Sequence, residues 1–149
     1  MKKLKVLAVL LLAVAQCATA SVYSVGNSVP CGTGMVVTVW SAETPTPGNG
    51  TTAASQQVQL INGSIGKPGT PFSIDGKFSG APGAFEVDVQ VAATDADTNY
   101  QTCSNCNVTT VDSTNNTFHL DYSGNAKFVR LLMRTRTNSV TVTATVTGG

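Results

Sequence analysis

The chain has 149 residues, of which 42% are hydrophobic and only 11% charged, and its formal net charge is +1. That balance excludes the broad basic face a nucleic-acid partner requires, and the length provides for one ordinary domain. The one long apolar run, at the N-terminus, ends at Gln16 and is shorter than the roughly 20 residues of a stable bilayer-crossing helix, so no transmembrane segment is expected.

Residues 1–20 (MKKLKVLAVLLLAVAQCATA) read as a secretory signal-peptide helix. Lys2, Lys3 and Lys5 form the charged end, residues 6–15 the apolar stretch, and Ala18-Thr19-Ala20 a small-residue cleavage site. Lipidation at Cys17 competes with this reading, but Gln16 stands where processing wants a small residue. Removing the leader takes 20 of the 149 residues and three of nine basic side chains, leaving 129 residues with six basic groups against eight acidic ones. The expected product is secreted or held at the cell surface through protein contacts, as one domain over residues 21–149.

Three cysteines survive cleavage, Cys31, Cys103 and Cys106, and all three cannot pair within one chain. In an oxidising compartment Cys103 pairs with Cys106 across Ser104-Asn105, or either pairs with Cys31; the odd thiol is buried or links subunits. A redox role for the Cys-x-x-Cys lacks the following helix that would lower a thiol pKa.

Past Cys31 the pattern is β throughout. Strand composition marks residues 35–40 (MVVTVW), 57–61 (QVQLI), 72–78 (FSIDGKF), 85–91 (FEVDVQV), 117–122 (TFHLDY), 127–134 and 139–147, with Gly, Pro, Asn and Asp between them. Residues 44–55 (TPTPGNGTTAAS) carry no large apolar side chain and predict a mobile surface loop. Residues 63–71 and 80–83 are turns by composition. Strict alternation in 85–91, 117–122 and 139–147 predicts strands with one buried and one wet face. Residues 127–133 are apolar on both faces, which places that strand centrally or beneath a covering loop.

The stretch Phe85-Glu86-Val87-Asp88-Val89-Gln90 resembles the strand motif of laminarinase-like β-sandwich glycoside hydrolases, in which alternating carboxylates face the sugar. Gln90 stands in place of the last acid, and an amide cannot protonate a leaving oxygen, so the residues are read as a solvated strand face. Asp95, Asp97 and Asn99 have the spacing with which a calcium loop opens. Tyr100 and Cys106 then break the pattern, leaving a weak calcium site or a turn as the two readings and no other cofactor. Cys103, Cys106, His119 and Cys31 form a nominal Cys3His zinc set, disfavoured by secretion. His119, the only histidine, is an exposed strand residue with no G-x-S-x-G partner. Arg130, Arg134 and Arg136 share a strand face and are expected to pair with Glu86, Asp88 or Asp121. Trp40 with Tyr100 or Tyr23 is the best aromatic platform for a carbohydrate ligand.

Over about residues 72–147, FSGAPGAFEVDVQVAATDADTNY followed by NAKFVRLLMRTRTNSVTVTATV resembles small all-β virion proteins of tailed bacteriophages. The resemblance implies a structural or surface-decorating role without catalysis, from which the signal peptide departs. The fold expected is all-β, a single antiparallel β-sandwich of jelly-roll or Ig-like type. The expected function is non-catalytic: a secreted or surface-exposed assembly protein, virion-associated if the resemblance holds, partnered by its own copies or other surface proteins. An extracellular carbohydrate-binding or adhesion module, with polysaccharide as partner, is the alternative.

Overall fold

The computed structural model describes residues 28–61 and 70–149. The signal peptide, Cys17, Tyr23 and most of the 63–71 turn lie outside the described residues. The described chain forms nine strands: β1 (Val29–Gly32), β2 (Val36–Glu43), β3 (Val58–Ile61), β4 (Thr70–Phe78), β5 (Phe85–Ala92), β6 (Gln101–Val108), β7 (Thr117–Ala126), β8 (Phe128–Arg136) and β9 (Val142–Gly148). Two of them, β1 and the polar β6, are not evident from composition. Among the described residues no helix is long and apolar enough to cross a membrane.

The strands make a five-stranded sheet in the order β1-β3-β8-β5-β6 and a four-stranded sheet in the order β2-β9-β4-β7. Pairing is antiparallel except between β1 and β3, which run parallel. This corrects the wholly antiparallel expectation. Between β1 and β3 the chain passes through β2 in the other sheet, so it re-enters its first sheet in the original direction.

The inner faces of both sheets meet in one core, which includes Val37 and Val39 of β2, Ile74 and Phe78 of β4, and Val87 and Val89 of β5. Val129, Leu131 and Met133 of β8 are completely buried there, each worth about 1.5–3 kcal/mol of transfer free energy. Gly76 and Phe118 are direct cross-strand partners. A Cβ on Gly76 would lie 2.0 Å from Phe118 Cζ, so the missing side chain is what lets the ring lie over β4 and reach Phe78 and Phe85.

The outward side of β8 explains its double apolar character. Leu132 is covered by Ala53 and Ala54, and Phe128 by Ala92 and Tyr100. Residues 44–55, expected as a surface loop, therefore lie along β8. The Gly48 and Ser55 N–H groups donate to the carbonyls of Met133 (3.0 Å) and Leu131 (2.8 Å), and the Leu131 N–H donates to Ser55 Oγ (2.9 Å). Most of the segment is at the surface as expected, and the small side chains at residues 53–55 are what let its end approach the strand closely.

Candidate functional site

β4 and β7 place the chain's one imidazole between two carboxylates. Their antiparallel register sets Asp75 directly opposite His119, and the two-residue period of a strand sets Asp121 beside His119 on the same face. His119 Nδ1 lies 2.7 Å from Asp75 Oδ1, and Nε2 lies 3.1 Å from Asp121 Oδ2. A neutral imidazole has a single N–H and cannot donate to both oxygens, so the two contacts are both hydrogen bonds only when the ring is protonated. The hydrogen bond to Asp75 and then that to Asp121 raise the His119 pKa above its ordinary 6.5. All three side chains are more than half exposed.

Asp75 and His119 border an open cleft of about 640 Å³ between the sheet face and the segment before β7, with Lys77, Asp112, Thr143 and Thr145 also on its walls. Asp112 organises that segment. Its N–H donates to the Thr117 carbonyl (2.8 Å), its Oδ1 accepts from the Thr114 N–H (3.0 Å), and its Oδ2 accepts from Asn115 Nδ2 (2.9 Å). The Thr114 backbone bond, then the Asn115 bond, hold the Asp112 carboxyl below the usual carboxylate range. Asn116 closes the turn at φ 56°, a left-handed conformation that Asn tolerates better than most residues.

The polar rows extend across the whole four-stranded sheet. Thr38, Thr145, Asp75 and His119 are successive cross-strand partners, as are Val36, Thr147, Ser73 and Asp121. Lys77, between Thr143 and Thr117, lies in the row on the other side of Asp75. Sequence reading singled out His119 but not Asp75 or Asp112. The alternating FSIDGKF stretch marked Asp75 as outward, but only the register shows what it faces.

Other expected site residues have structural partners. Asp97 Oδ1 is 2.5 Å from Nη1 of the buried Arg130, whose Nε donates to Gln90 Oε1 (2.7 Å) and whose guanidinium lies 4.3 Å from the Tyr100 ring centroid. Tyr100 Oη donates to Asp95 Oδ1 (2.9 Å); Asp95 Oδ2 is buried without a hydrogen-bond partner. Asn99 Nδ2 donates to Thr94 Oγ1. Arg130 thus supplies a cation to Asp97, while Asp95 and Asn99 bond within their own segment to Tyr100 and Thr94, as in the turn that was the other reading of this stretch. Among the described residues no group of three or more His, Cys, Asp or Glu could hold a metal ion.

The aromatic platform is likewise corrected. A register shift between Thr38 and Trp40 turns the indole inward, leaving Trp40 1% exposed, and Tyr100 is buried over Arg130. Neither offers a free ring face to a sugar. Cys103 and Cys106 form a disulfide, with Cα atoms 5.2 Å apart, and Cys31 is a buried thiol outside it, so the Cys3His set has no thiolate pair to offer. Of the Glu86, Asp88, Gln90 face, expected to be solvated, only Glu86 retains partial exposure. Asp88 and Gln90 are buried beneath β8 arginines, with Arg134 bonded to Asp88 and Arg130 to Gln90, while Thr102 Oγ1 donates to Asp88 Oδ2 (3.0 Å). Opposite charge on the neighbouring strand makes this burial affordable.

No protein-family model, curated protein or solved structure matches the chain.

Proposed function

We propose that the protein is a secreted or surface-exposed β-sandwich that works by assembly with further copies of itself rather than by catalysis. The observation that carries this reading is the outer face of the four-stranded sheet, where Lys77 and Asp121 flank the Asp75–His119 row on opposite sides. A two-fold rotation about that row brings Lys77 of one copy to the Asp121 side of another. An isologous contact needs self-complementarity of this kind, and such contacts dominate homo-oligomers. The Thr-rich rows on either side bring short side chains with little rotamer entropy to lose.

Two further observations support the reading. The strand orders β2-β9-β4-β7 and β3-β8-β5-β6 are those of an eight-stranded jelly roll, with β1 added beside β3, and capsid domains are among the proteins built on that architecture. Both ring nitrogens of His119 face carboxylates, and an imidazolium so held has no lone pair with which to act as a base. The virion-surface role implied by the resemblance over residues 72–147 is the narrower form of this proposal.

Light scattering coupled to size exclusion, with negative-stain microscopy, tests it. The mature protein should associate with rising concentration, Lys77→Asp should weaken association about tenfold or more, and adding Asp121→Lys should restore it. A wild-type protein that stays monomeric throughout, or a charge swap without rescue, would overturn the proposal.

A further inference from the structure

A second concave region lies at the other side of the molecule, where the 93–100 loop, the disulfide segment of β6 and the turn between β7 and β8 converge around an open groove of about 1100 Å³. We propose that this groove is a binding site for a neutral oligosaccharide.

Two walls of the groove are fixed by devices that contribute little else. The 93–100 loop is held from beneath by Arg130, through Asp97 and the Tyr100 ring, and Tyr100 in turn holds Asp95. The pair joins a buried guanidinium to a half-exposed carboxylate, so solvent screening leaves it little net stability to add. What it does provide is a defined loop position. The opposite wall begins at Cys103 and Ser104, in the segment that the Cys103–Cys106 disulfide closes. A site set in place before its ligand arrives loses less ordering entropy on binding.

The lining gives the class of ligand. Gln101, Asn125 and Asn99 contribute side-chain amides, Thr98 and Ser104 contribute hydroxyls, and Lys127 is the one ionisable side chain besides Tyr122. Groups that both donate and accept match sugar hydroxyls, which do the same, while a groove without carboxylates offers nothing to a cation. Tyr122 supplies apolar surface. Its ring is half-buried against Phe72 at 4.9 Å, and its hydroxyl end lies 2.5 Å from where a Gly124 Cβ would stand, so Gly124 leaves it room to lie along the groove. The volume slightly exceeds the usual range for a compact small-molecule pocket, as an extended chain of several sugar units requires.

Saturation-transfer-difference NMR with cellohexaose, maltohexaose and chitohexaose tests the assignment, and it works whether or not the protein assembles. At least one of these probes should show saturable transfer, with a dissociation constant of about 0.1–1 mM. The exposed pair Gln101→Ala and Asn125→Ala, combined in one variant, should weaken it about tenfold without altering the thermal midpoint. Asp97→Asn, at a residue that does not itself line the groove, should weaken binding by loosening the loop. Silence from all three neutral probes, binding unchanged in the double variant, or transfer seen only with an anionic oligogalacturonate would each overturn the proposal.

Discussion

His119 connects a register to a pH dependence. Its folded pKa is raised above 6.5 by Asp75 and then Asp121, so the folded state holds this proton more tightly than the unfolded chain does. The resulting stability is fully present below pH 6.5 and is lost as pH rises through the raised folded value. Solvent screening at these exposed side chains keeps the contribution below about 1 kcal/mol. Asp112, in the same cleft, has its pKa lowered and stays ionised throughout this window. Thermal melts from about pH 5 to about pH 9 should therefore show a midpoint that falls on the alkaline side of 6.5, and His119→Gln should flatten that fall. A wild-type midpoint that instead rose with pH across this window in a His119-dependent way would contradict the geometry.

At the scale of the element, β6 shows how a covalent clip handles surplus chain. Between the pairs Asp88↔Asn107 and Gln90↔Thr102, β5 spends one residue and β6 spends four, residues 103–106. Asn105 turns the excursion at φ 59°, and the disulfide closes it. The loop is short, so the chain-entropy estimate of the disulfide's contribution is about 2 kcal/mol. Cys103→Ser with Cys106→Ser should lose about that much in urea unfolding while the domain still folds; failure to fold would mean that β6 pairing depends on the clip. The Cys103–Cys106 pair was legible because two cysteines three apart need only a local turn, and the alternation of β7 and β9 was legible because period two is a local property. The pairing of a β8 arginine with Asp88 was expected and is found at Arg134, but the burial of that face of β5 was not legible. Its carboxylate and amide read as wet, and the arginines that bury them come from β8, some 40 residues away. For the same reason His119 was a lone imidazole in sequence and became one of three groups only when β4 paired with β7. β6 itself, QTCSNCNV, has too little apolar content to announce a strand.

Across the whole molecule, the odd cysteine marks where the two sheets are tied. β1 belongs to the five-stranded sheet, yet Thr33, just beyond it, bridges Gly148 of β9 in the other sheet. The Gly34 N–H donates to the Gly148 carbonyl (2.8 Å), and the Gly148 N–H donates to the Met35 carbonyl (3.0 Å). A Cβ at residue 148 would come within 2.4 Å of the Gly32 carbonyl oxygen, so the close approach depends on glycine there. Cys31 sits inside this seam, 0% exposed, with its Sγ 3.1 Å from the Met35 carbonyl oxygen. A thiol so placed cannot link subunits in the native state, which removes one of the two fates expected for it. It also cannot reach a reagent unless β1 leaves β3 or the seam to β9 parts, and each of these opens the core between the sheets. With Cys103 and Cys106 left oxidised, native-state alkylation of Cys31 should therefore proceed only through global unfolding. Its free energy of opening, measured across low urea concentrations, should match the unfolding free energy from the urea transition and carry the same denaturant slope. Rapid labelling with a shallow slope would show instead that β1 detaches by itself, and that the remaining eight strands are the cooperative unit.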